Sequence, residues 1–331
     1  MIQTIHYVVS NQFNPYKNLA LEEYLLDTVE EGSCILYLWQ NERTVVIGKN
    51  QNAWKECKVK ELEEDGGYLV RRLSGGGAVF HDHGNLNFTF LVHKDDYDVS
   101  KQLEVILRAC RKLGIQAEKS GRNDITVEGK KFSGNAFYRK GDHCYHHGTI
   151  LIRVDMENLS KYLNVSKDKL VSKGVESVRS RVTNLVEYDN GLTIEIMKDR
   201  LIEAFSEVYN CTAKKLELPA SSSDRLDQLE QKFSSWDFKY GRKIEFEHTL
   251  SQRFAWGGMD IHLIVNGGII QACLVYTDAM EVDMVDEIPK VLTNCEYSYE
   301  KMVAAVDNLL VSYGYASDMI RDMKEIFKEQ V

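Results

Sequence analysis

The sequence predicts an α+β or mixed α/β chain, on three observations. Strand-like runs alternate with amphipathic helical runs, but without the strict order of a repeating strand–helix unit. Beyond Gly241 the pattern resets, and strands followed by helices suggest a small α+β second domain. Length agrees, because 331 residues make one large domain or two ordinary ones, and 44% hydrophobic residues supply a packed core.

The elements follow in order. Asn14-Pro15 is a cap-and-first-turn signal, and Leu21, Tyr24, Leu25 and Val29 follow on one helical face. Ile35, Tyr37 and Trp39 alternate, and Thr44 to Ile47 is a β-branched run ending at Gly48, so both read as strands. Tyr68 to Arg71 and Leu86 to His93 are strand candidates on either side of a glycine-rich turn. Ser100 is placed to cap a helix carrying Leu103, Ile106, Leu107, Cys110 and Leu113, with Gly114 as its stop. Ile125 to Val127 and Thr149 to Val154 read as strands, and a helix runs from about Thr193 through Met197, Leu201 and Phe205. Asn266-Gly267 between His262 to Val265 and Ile269 to Tyr276 is a hairpin signal, because Asn-Gly adopts the positive φ angles of a type I′ turn. Ser298 caps a last helix through Met302, Val306 and Leu310.

Composition excludes several classes. Pro15, Pro219 and Pro289 are the only prolines, so long Pro-rich linkers are not expected. The net charge of -9 carries no whole-chain footprint for nucleic acid. No apolar run approaches the roughly 18 residues needed to span a bilayer, and the start lacks the basic-then-apolar order of a signal peptide. Cys34, Cys57, Cys110, Cys144, Cys211, Cys273 and Cys295 are odd in number and never spaced CxxC. That fits reduced thiols in a cytoplasmic protein rather than a zinc site or disulfide framework.

Four segments carry chemistry. Arg71-Arg72-Leu73-Ser74-Gly75-Gly76-Gly77-Ala78-Val79-Phe80-His81-Asp82 places consecutive glycines after paired arginines, a combination suited to an anionic ligand, although a plain glycine turn is the alternative. It is neither a P-loop nor a GxGxxG fingerprint. Gly121-Arg122-Asn123-Asp124, followed by Lys130-Lys131-Phe132-Ser133-Gly134, offers a lysine point charge, or a solvated hairpin. His143-Cys144-Tyr145-His146-His147-Gly148-Thr149 invites a metal reading. Alternation on a following strand and the lack of a partner cluster favour a polar wall facing a ligand instead. Ser172 to Asn184, with Lys173, Arg179 and Arg181 among small residues, reads as a mobile loop over a nucleotide or an ordinary basic surface loop.

Together these segments resemble the lipoate–protein ligase family. Arg-Arg-x-Ser-Gly-Gly-Gly-Ala-Val-Phe-His-Asp at 71–82, Gly-Asn-x-Asn-Phe-Thr-Phe at 84–90, Gly-Arg-Asn-Asp at 121–124, Lys-x-Ser-Gly at 131–134, His-His-Gly-Thr at 146–149 and Ser-Val-Arg-Ser-Arg-Val-Thr-Asn-Leu at 177–185 stand in the family's order. Asn18-Leu19-Ala20-Leu21-Glu22-Glu23 and Trp236-Asp237-Phe238-Lys239-Tyr240-Gly241 also match. The resemblance implies a large mixed-sheet catalytic domain over 1–245, related to biotin–protein ligases, and a small α+β accessory domain over 246–331.

It implies a reaction as well. Lipoate and ATP, with Mg2+, give lipoyl-AMP and pyrophosphate, and a lysine of a lipoyl-carrier domain then takes the lipoyl group. The carrier would be the glycine-cleavage H protein or a 2-oxoacid dehydrogenase E2, in salvage of free lipoate. The implied adenylate contacts are Arg72, Gly77, Ala78, Val79, Phe80, Asp124, Lys131, Ser177 and Arg179. The implied lipoate contacts are Arg72, Ser74, Gly75, Gly76, His81, Lys131, His147 and Gly148. Lys131 is the catalytic ammonium, chosen over Lys130 by its spacing to Ser133-Gly134, and Asp124 is the magnesium candidate. Val79, Phe80, Phe88 and Phe90 are candidates for the apolar tunnel. The alternative is an ATP-independent octanoyl or lipoyl transferase. Such enzymes use a cysteine, and here that loop reads Val171-Ser172-Lys173-Gly174, while Cys144 lies elsewhere.

Overall fold

The computed structural model describes residues 2–121, 123–164, 182–240, 248–280, 283–309 and 316–331. Two compact units divide the chain. The first comprises Met1–Val46, Glu56–Arg71 and Val79–Lys239. The second comprises Ile47–Lys55, Arg72–Ala78 and Tyr240–Val331, so two stretches far from the C-terminus in sequence belong with it.

The strands are β1 (Thr4–Val9), β2 (Ser33–Trp39), β3 (Thr44–Ile47), β4 (Tyr68–Arg71), β5 (Val79–His81), β6 (Asn85–His93), β7 (Ala117–Ser120), β8 (Asp124–Val127), β9 (Lys130–Lys140), β10 (His143–Leu151), β11 (Lys214–Lys215), β12 (His248–Phe254), β13 (Gly257–Asn266) and β14 (Ile269–Thr277). The helices are α1 (Pro15–Thr28), α2 (Ala53–Glu56), α3 (Val59–Glu64), α4 (Val99–Lys112), α5 (Met156–Tyr162), α6 (Ile194–Tyr209), α7 (Ser223–Ser234), α8 (Trp236–Tyr240), α9 (Asp283–Leu292), α10 (Tyr299–Asp307) and α11 (Ala316–Gln330).

In the first unit a sheet of eight strands runs β11-β1-β2-β6-β10-β9-β8-β7. Strand β1 is parallel to β2 and β11, and the pairs from β2 onward are antiparallel, so the sheet is mixed. Strands β4-β3-β5 form a second, smaller sheet. Side chains alternate, which gives the large sheet two distinct faces. One carries Phe88, Phe90, Cys144 and Ile150 into a core completed by Leu103 and Ile106 of α4 and Leu201 and Phe205 of α6. The other carries Tyr37, Thr89 and His147, and α1 packs across β2, β6 and β10.

Helix α1 starts as read, with Asn14 Oδ1 accepting the N–H groups of Tyr16 and Lys17 ahead of Pro15. Its buried side differs from the expected stripe. Asn18, Leu19, Glu22, Glu23 and Leu26 are buried, whereas Leu21 and Tyr24 are half-buried. The polar members tolerate burial because they have partners: Asn18 bonds Gln40 and Asn41, and Glu22 bonds Thr89. Helix α4 begins ahead of Ser100, because the Asp98 carboxylate accepts the Lys101 N–H as its cap. Strand β10 starts at His143 rather than Thr149, since β6 and β9 flank it on both sides from that residue.

In the second unit β12-β13-β14 form an antiparallel sheet. Ile261, Leu263, Ile288, Val306, Met323 and Phe327 fill its core. The hairpin turn sits one residue later than Asn266-Gly267. Gly267 and Gly268, at φ +60° and +77°, take both positive-φ positions, which two glycines adopt without steric cost. Among the described residues no helix is long and apolar enough to cross a membrane.

Candidate functional site

The hairpin of β8 and β9 turns a lysine toward the face shared with His147. Asp124 pairs with Gly134 and Ile125 with Ser133, but Thr126 then pairs with Lys131, so Phe132 is an extra residue. This bulge sends both Phe132 and Ile125 into the core and returns Lys131 to the face of Thr126 and Gly134. Lys130, one step on, is exposed opposite core residue Val127. The bulge is the physical reason that Lys131 and not Lys130 meets the site.

The Lys131 ammonium lies 2.7 Å from Asp124 Oδ1, with both side chains about one-third exposed. A Cβ on Gly134 would stand 3.0 Å from Lys131 Nζ and 4.0 Å from Thr149 Oγ1, so glycine leaves room for the ammonium. The Gly134 N–H donates to Thr149 Oγ1 at 3.2 Å. The Lys131 carbonyl accepts the Thr183 N–H at 2.9 Å, tying the end of the 177–185 motif to this strand. Thr126, cross-strand from Lys131, has a buried hydroxyl with no hydrogen-bond partner among the described residues.

Farther along the same face, His147 Nδ1 is 2.8 Å from Glu22 Oε1, and both side chains are buried. Thr89 donates its hydroxyl to the same oxygen at 2.7 Å and accepts Trp39 Nε1–H at 3.1 Å. Asn41 Nδ2 lies 3.2 Å from His81 Nδ1, and the His81 ring stands edge-on to Trp39.

His146 points the other way, between Asn135 Oδ1 at 2.8 Å and Gln102 Oε1 at 3.2 Å. Burial, and secondarily the charge of His147, hold its pKa down at about 3. A neutral ring donates once and accepts once, so the Gln102 amide serves as donor when turned, consistent with its otherwise unpartnered Nε2. Among the described residues no group of three or more His, Cys, Asp or Glu gathers as a metal would require.

The glycine loop belongs to the second unit. Arg72 is buried and is wrapped by its own loop: Nε donates to Ser74 Oγ at 3.0 Å, and Nη2 donates to the carbonyls of Gly75 at 2.6 Å and Gly77 at 2.8 Å. The Lys49 N–H donates to the Ser74 carbonyl, and the Arg72 N–H to Ile47. Between those bonds Gly48 meets Gly76 so closely that a Cβ would lie 2.2 Å from the Gly76 oxygen. Gly75 and Gly76 press on Ala279 and Met280, and the Gly76 N–H donates to the Ala279 carbonyl at 3.0 Å. Gly77 alone of the three glycines has open space at its Cβ position. The loop read as a set of exposed donors is therefore partly engaged by the protein itself.

Other expectations need correction. Phe88 and Phe90 enter the core with Phe205 and His146, because alternation assigns them to the face that α4 and α6 cover. Phe80 packs on the Tyr162 ring, while Val79 is half-buried and Ala78 half-exposed. Gly148 serves close packing, since a Cβ would lie 2.7 Å from both the Phe88 ring and the Gly134 carbonyl. Ser177, Arg179 and the loop through residue 181 lie outside the described residues, as does Arg122. Residue-by-residue reading missed the roles of Glu22, Thr126 and Gly48. Glu22 stood inside the quoted Asn18-to-Glu23 match, where a carboxylate on a mostly apolar helix was the available signal.

Comparisons with known proteins agree across the chain. Residues 14–206 match the lipoyl protein ligase A/B catalytic domain, and residues 243–326 match the bacterial lipoate protein ligase C-terminus. The chain is 41% identical over 320 residues to lipoate-protein ligase A of Psychrobacter cryohalolentis, covering 94% of each. It superposes on P. falciparum LipL1 in complex with lipoate with TM-score 0.85 at 31% identity, covering 97% of this chain and 99% of that one. A Thermoplasma acidophilum bipartite lipoate protein ligase, described with its E2 lipoyl domain, gives TM-score 0.65 at 27% identity, with 74% and 99% covered. A lipoate-protein ligase A bound with ATP gives 0.63 at 25% identity, with 73% and 99% covered.

Proposed function

The chain belongs to the lipoyl protein ligase A/B family and is a ligase enzyme, and we propose that it joins lipoate to protein in two ATP-driven steps. The lipoate carboxylate attacks the α-phosphorus of ATP, pyrophosphate departs, and lipoyl-AMP forms. The ε-amine of a carrier lysine then attacks the acyl carbon, the bond to AMP breaks, and an amide remains. The carrier is a lipoyl domain, of an E2 subunit or of the H protein, and the work is salvage of free lipoate in the cytoplasm.

The observation that carries this reading is the Lys131 ammonium, brought by the bulge onto the same sheet face as His147 and left room by Gly134. Negative charge grows on carboxyl and phosphoryl oxygens in both transition states, and a preorganised ammonium stabilises it. Asp124 holds that ammonium until an anion competes for it. Arg72 and the 75–80 segment are assigned to the adenylate and lipoate by their match to the family pattern, as are Ser177 and Arg179. His81 and His147 are assigned to the lipoyl group on the same ground. The domain division 1–245 and 246–331 is part of the same proposal. The relatives described with lipoate, with ATP and with an E2 lipoyl domain support the substrate set.

Magnesium fits the residues at hand modestly. Mg2+ keeps several waters and takes one or two carboxylates beside substrate phosphates, and the partly exposed Asp124 supplies one such carboxylate. When bound it would neutralise phosphate charge.

The transferase alternative loses support from its nucleophile. Cys144 is buried in the core, and burial raises its thiol pKa, so a thiolate is disfavoured there. The test is direct. Lipoate, ATP and a purified lipoyl domain should give pyrophosphate and a domain heavier by one lipoyl group, and an acylated carrier without ATP should give neither. Acyl transfer without ATP would overturn the reading.

A further inference from the structure

We infer that Tyr162 is a positioning residue of the adenylation step: braced by Asp65, it seats the ring of Phe80 from behind and so sets the grip of strand β5 on the nucleotide. This rests on the ligase reading above, which gives Gly77 to Phe80 to the adenylate. Tyr162 acts through the strand and not on the ligand. Its brace lies wholly within the first unit.

Strand β5 needs such a brace. It has three residues, lies at the edge of the β4-β3-β5 sheet and pairs in that sheet with β3 alone. Alternation sends its side chains to opposite faces. His81 turns toward Asn41 and Trp39, on the side of the candidate site. The Phe80 ring turns the other way, is buried, and lies 5.5 Å from the Tyr162 ring at 32°. With so short a ladder, the backbone of Val79 to His81 is held largely by what its side chains touch, and on the Phe80 side that is Tyr162. His81, assigned to the lipoyl group, has its own partners, so a loosened brace should be felt by the nucleotide and not by lipoate.

Tyr162 is itself fixed at both ends. Its hydroxyl donates to Asp65 Oδ2 at 2.7 Å, and its carbonyl accepts the Lys58 N–H at 2.9 Å. Just beyond it Leu163 forms a β-bridge with Cys57, and the Asn164 N–H donates to the Glu56 carbonyl. Burial raises the pKa of the phenol, so its hydroxyl stays a donor. The place of Asp65 is informative. It caps the C-terminal end of α3, where a helix presents carbonyl oxygens and disfavours a carboxylate. Lys161, and after it Tyr162, hold the Asp65 carboxyl below its ordinary pKa range, and Arg43 donates to the Asp65 backbone carbonyl. A lysine at that cap would suit the helix better, but it could not accept the Tyr162 hydroxyl.

Pyrophosphate exchange by the full chain, with ATP and lipoate varied in turn, tests this. Tyr162→Phe keeps the ring and removes the hydroxyl. The half-saturating ATP concentration should rise about threefold to tenfold, while that for lipoate and the maximal rate stay within about twofold. Asp65→Ala should do the same from the partly exposed partner, and carries the test if the tyrosine variant does not fold. Asp65→Asn keeps an acceptor for the hydroxyl and should hold ATP saturation within about twofold of the unaltered enzyme. The double variant Tyr162→Phe with Asp65→Ala should be no worse than either single one, because both remove one interaction. A joint rise for ATP and lipoate, a lowered melting temperature with both unchanged, or additive losses in the double variant would overturn the brace. Absence of exchange in the unaltered enzyme would instead overturn the ligase reading.

Discussion

His146 and His147 are consecutive on β10, yet one faces the core and the other the candidate site. His146 sits among Phe88, Phe90 and Phe137, bonded to two amides and uncharged. His147 lies tilted against the Tyr145 ring and is bonded to the Glu22 carboxylate, which also accepts the hydroxyl of Thr89, itself bonded by Trp39. The residue type is the same, so the difference comes wholly from which side of a period-two ladder each occupies. On the proposed reading a sheet face is the unit of function, and substitutions should sort by face.

The largest expected effect is on the face of Lys131 and His147. Lys131→Ala should cost roughly 3–4 kcal/mol of transition-state stabilisation in pyrophosphate exchange, while Lys130→Ala should stay within about 0.5 kcal/mol. Equal loss in both would erase the distinction between the faces. Next comes the core face. His146→Ala leaves a cavity and two unpaired amides, and should cost about 3 kcal/mol in urea unfolding.

The glycines sharpen the same comparison. Gly148→Ala forces a Cβ against the Phe88 ring and a backbone oxygen, and should destabilise by about 1–3 kcal/mol. Gly134→Ala need only move the end of a flexible lysine, so it should lower turnover by about tenfold, or about 1.4 kcal/mol, with little change in melting temperature. Loss of stability in Gly134→Ala equal to that in Gly148→Ala would contradict the assignment of faces.

Acid should read the core histidine. Its folded pKa of about 3 lies below the ordinary 6.5, so between those values the unfolded chain binds more protons. The His146 contribution is complete above about pH 6.5 and is lost as pH falls toward 3, at up to about 1.4 kcal/mol per pH unit. Urea midpoints measured at descending pH should show this slope, and His146→Phe should flatten it.

Much of this was legible in the sequence, and the remainder was hidden for physical reasons. Caps and periodicity located α1, β3, β4 and α6, because Asn14, Thr193 and β-branched runs act locally. The ordered motifs pointed to Lys131, Asp124 and His147. The buried side of α1 was not legible, since Asn18 and Glu22 are buried by partners from β2, β6 and β10 rather than by hydrophobicity. Nor was the engagement of Gly75 and Gly76 by Ala279, a contact across more than two hundred residues of chain. Phe88 and Phe90 looked like ligand-lining aromatics because alternation tells which residues share a face, not which face is covered.

The interval in Lys-x-Ser-Gly holds a message of its own. Residues three apart on a regular strand point in opposite directions, yet Lys131 and Gly134 lie together. An odd count between two residues that must meet can be reconciled only by an irregular strand, so the irregularity is written as a number rather than as a residue type. Position 132 is where that count is absorbed. Its occupant can vary in identity so long as it fills the core. A chain lacking it would still present the lysine on the same side, in a straighter strand with a hole where Phe132 had been.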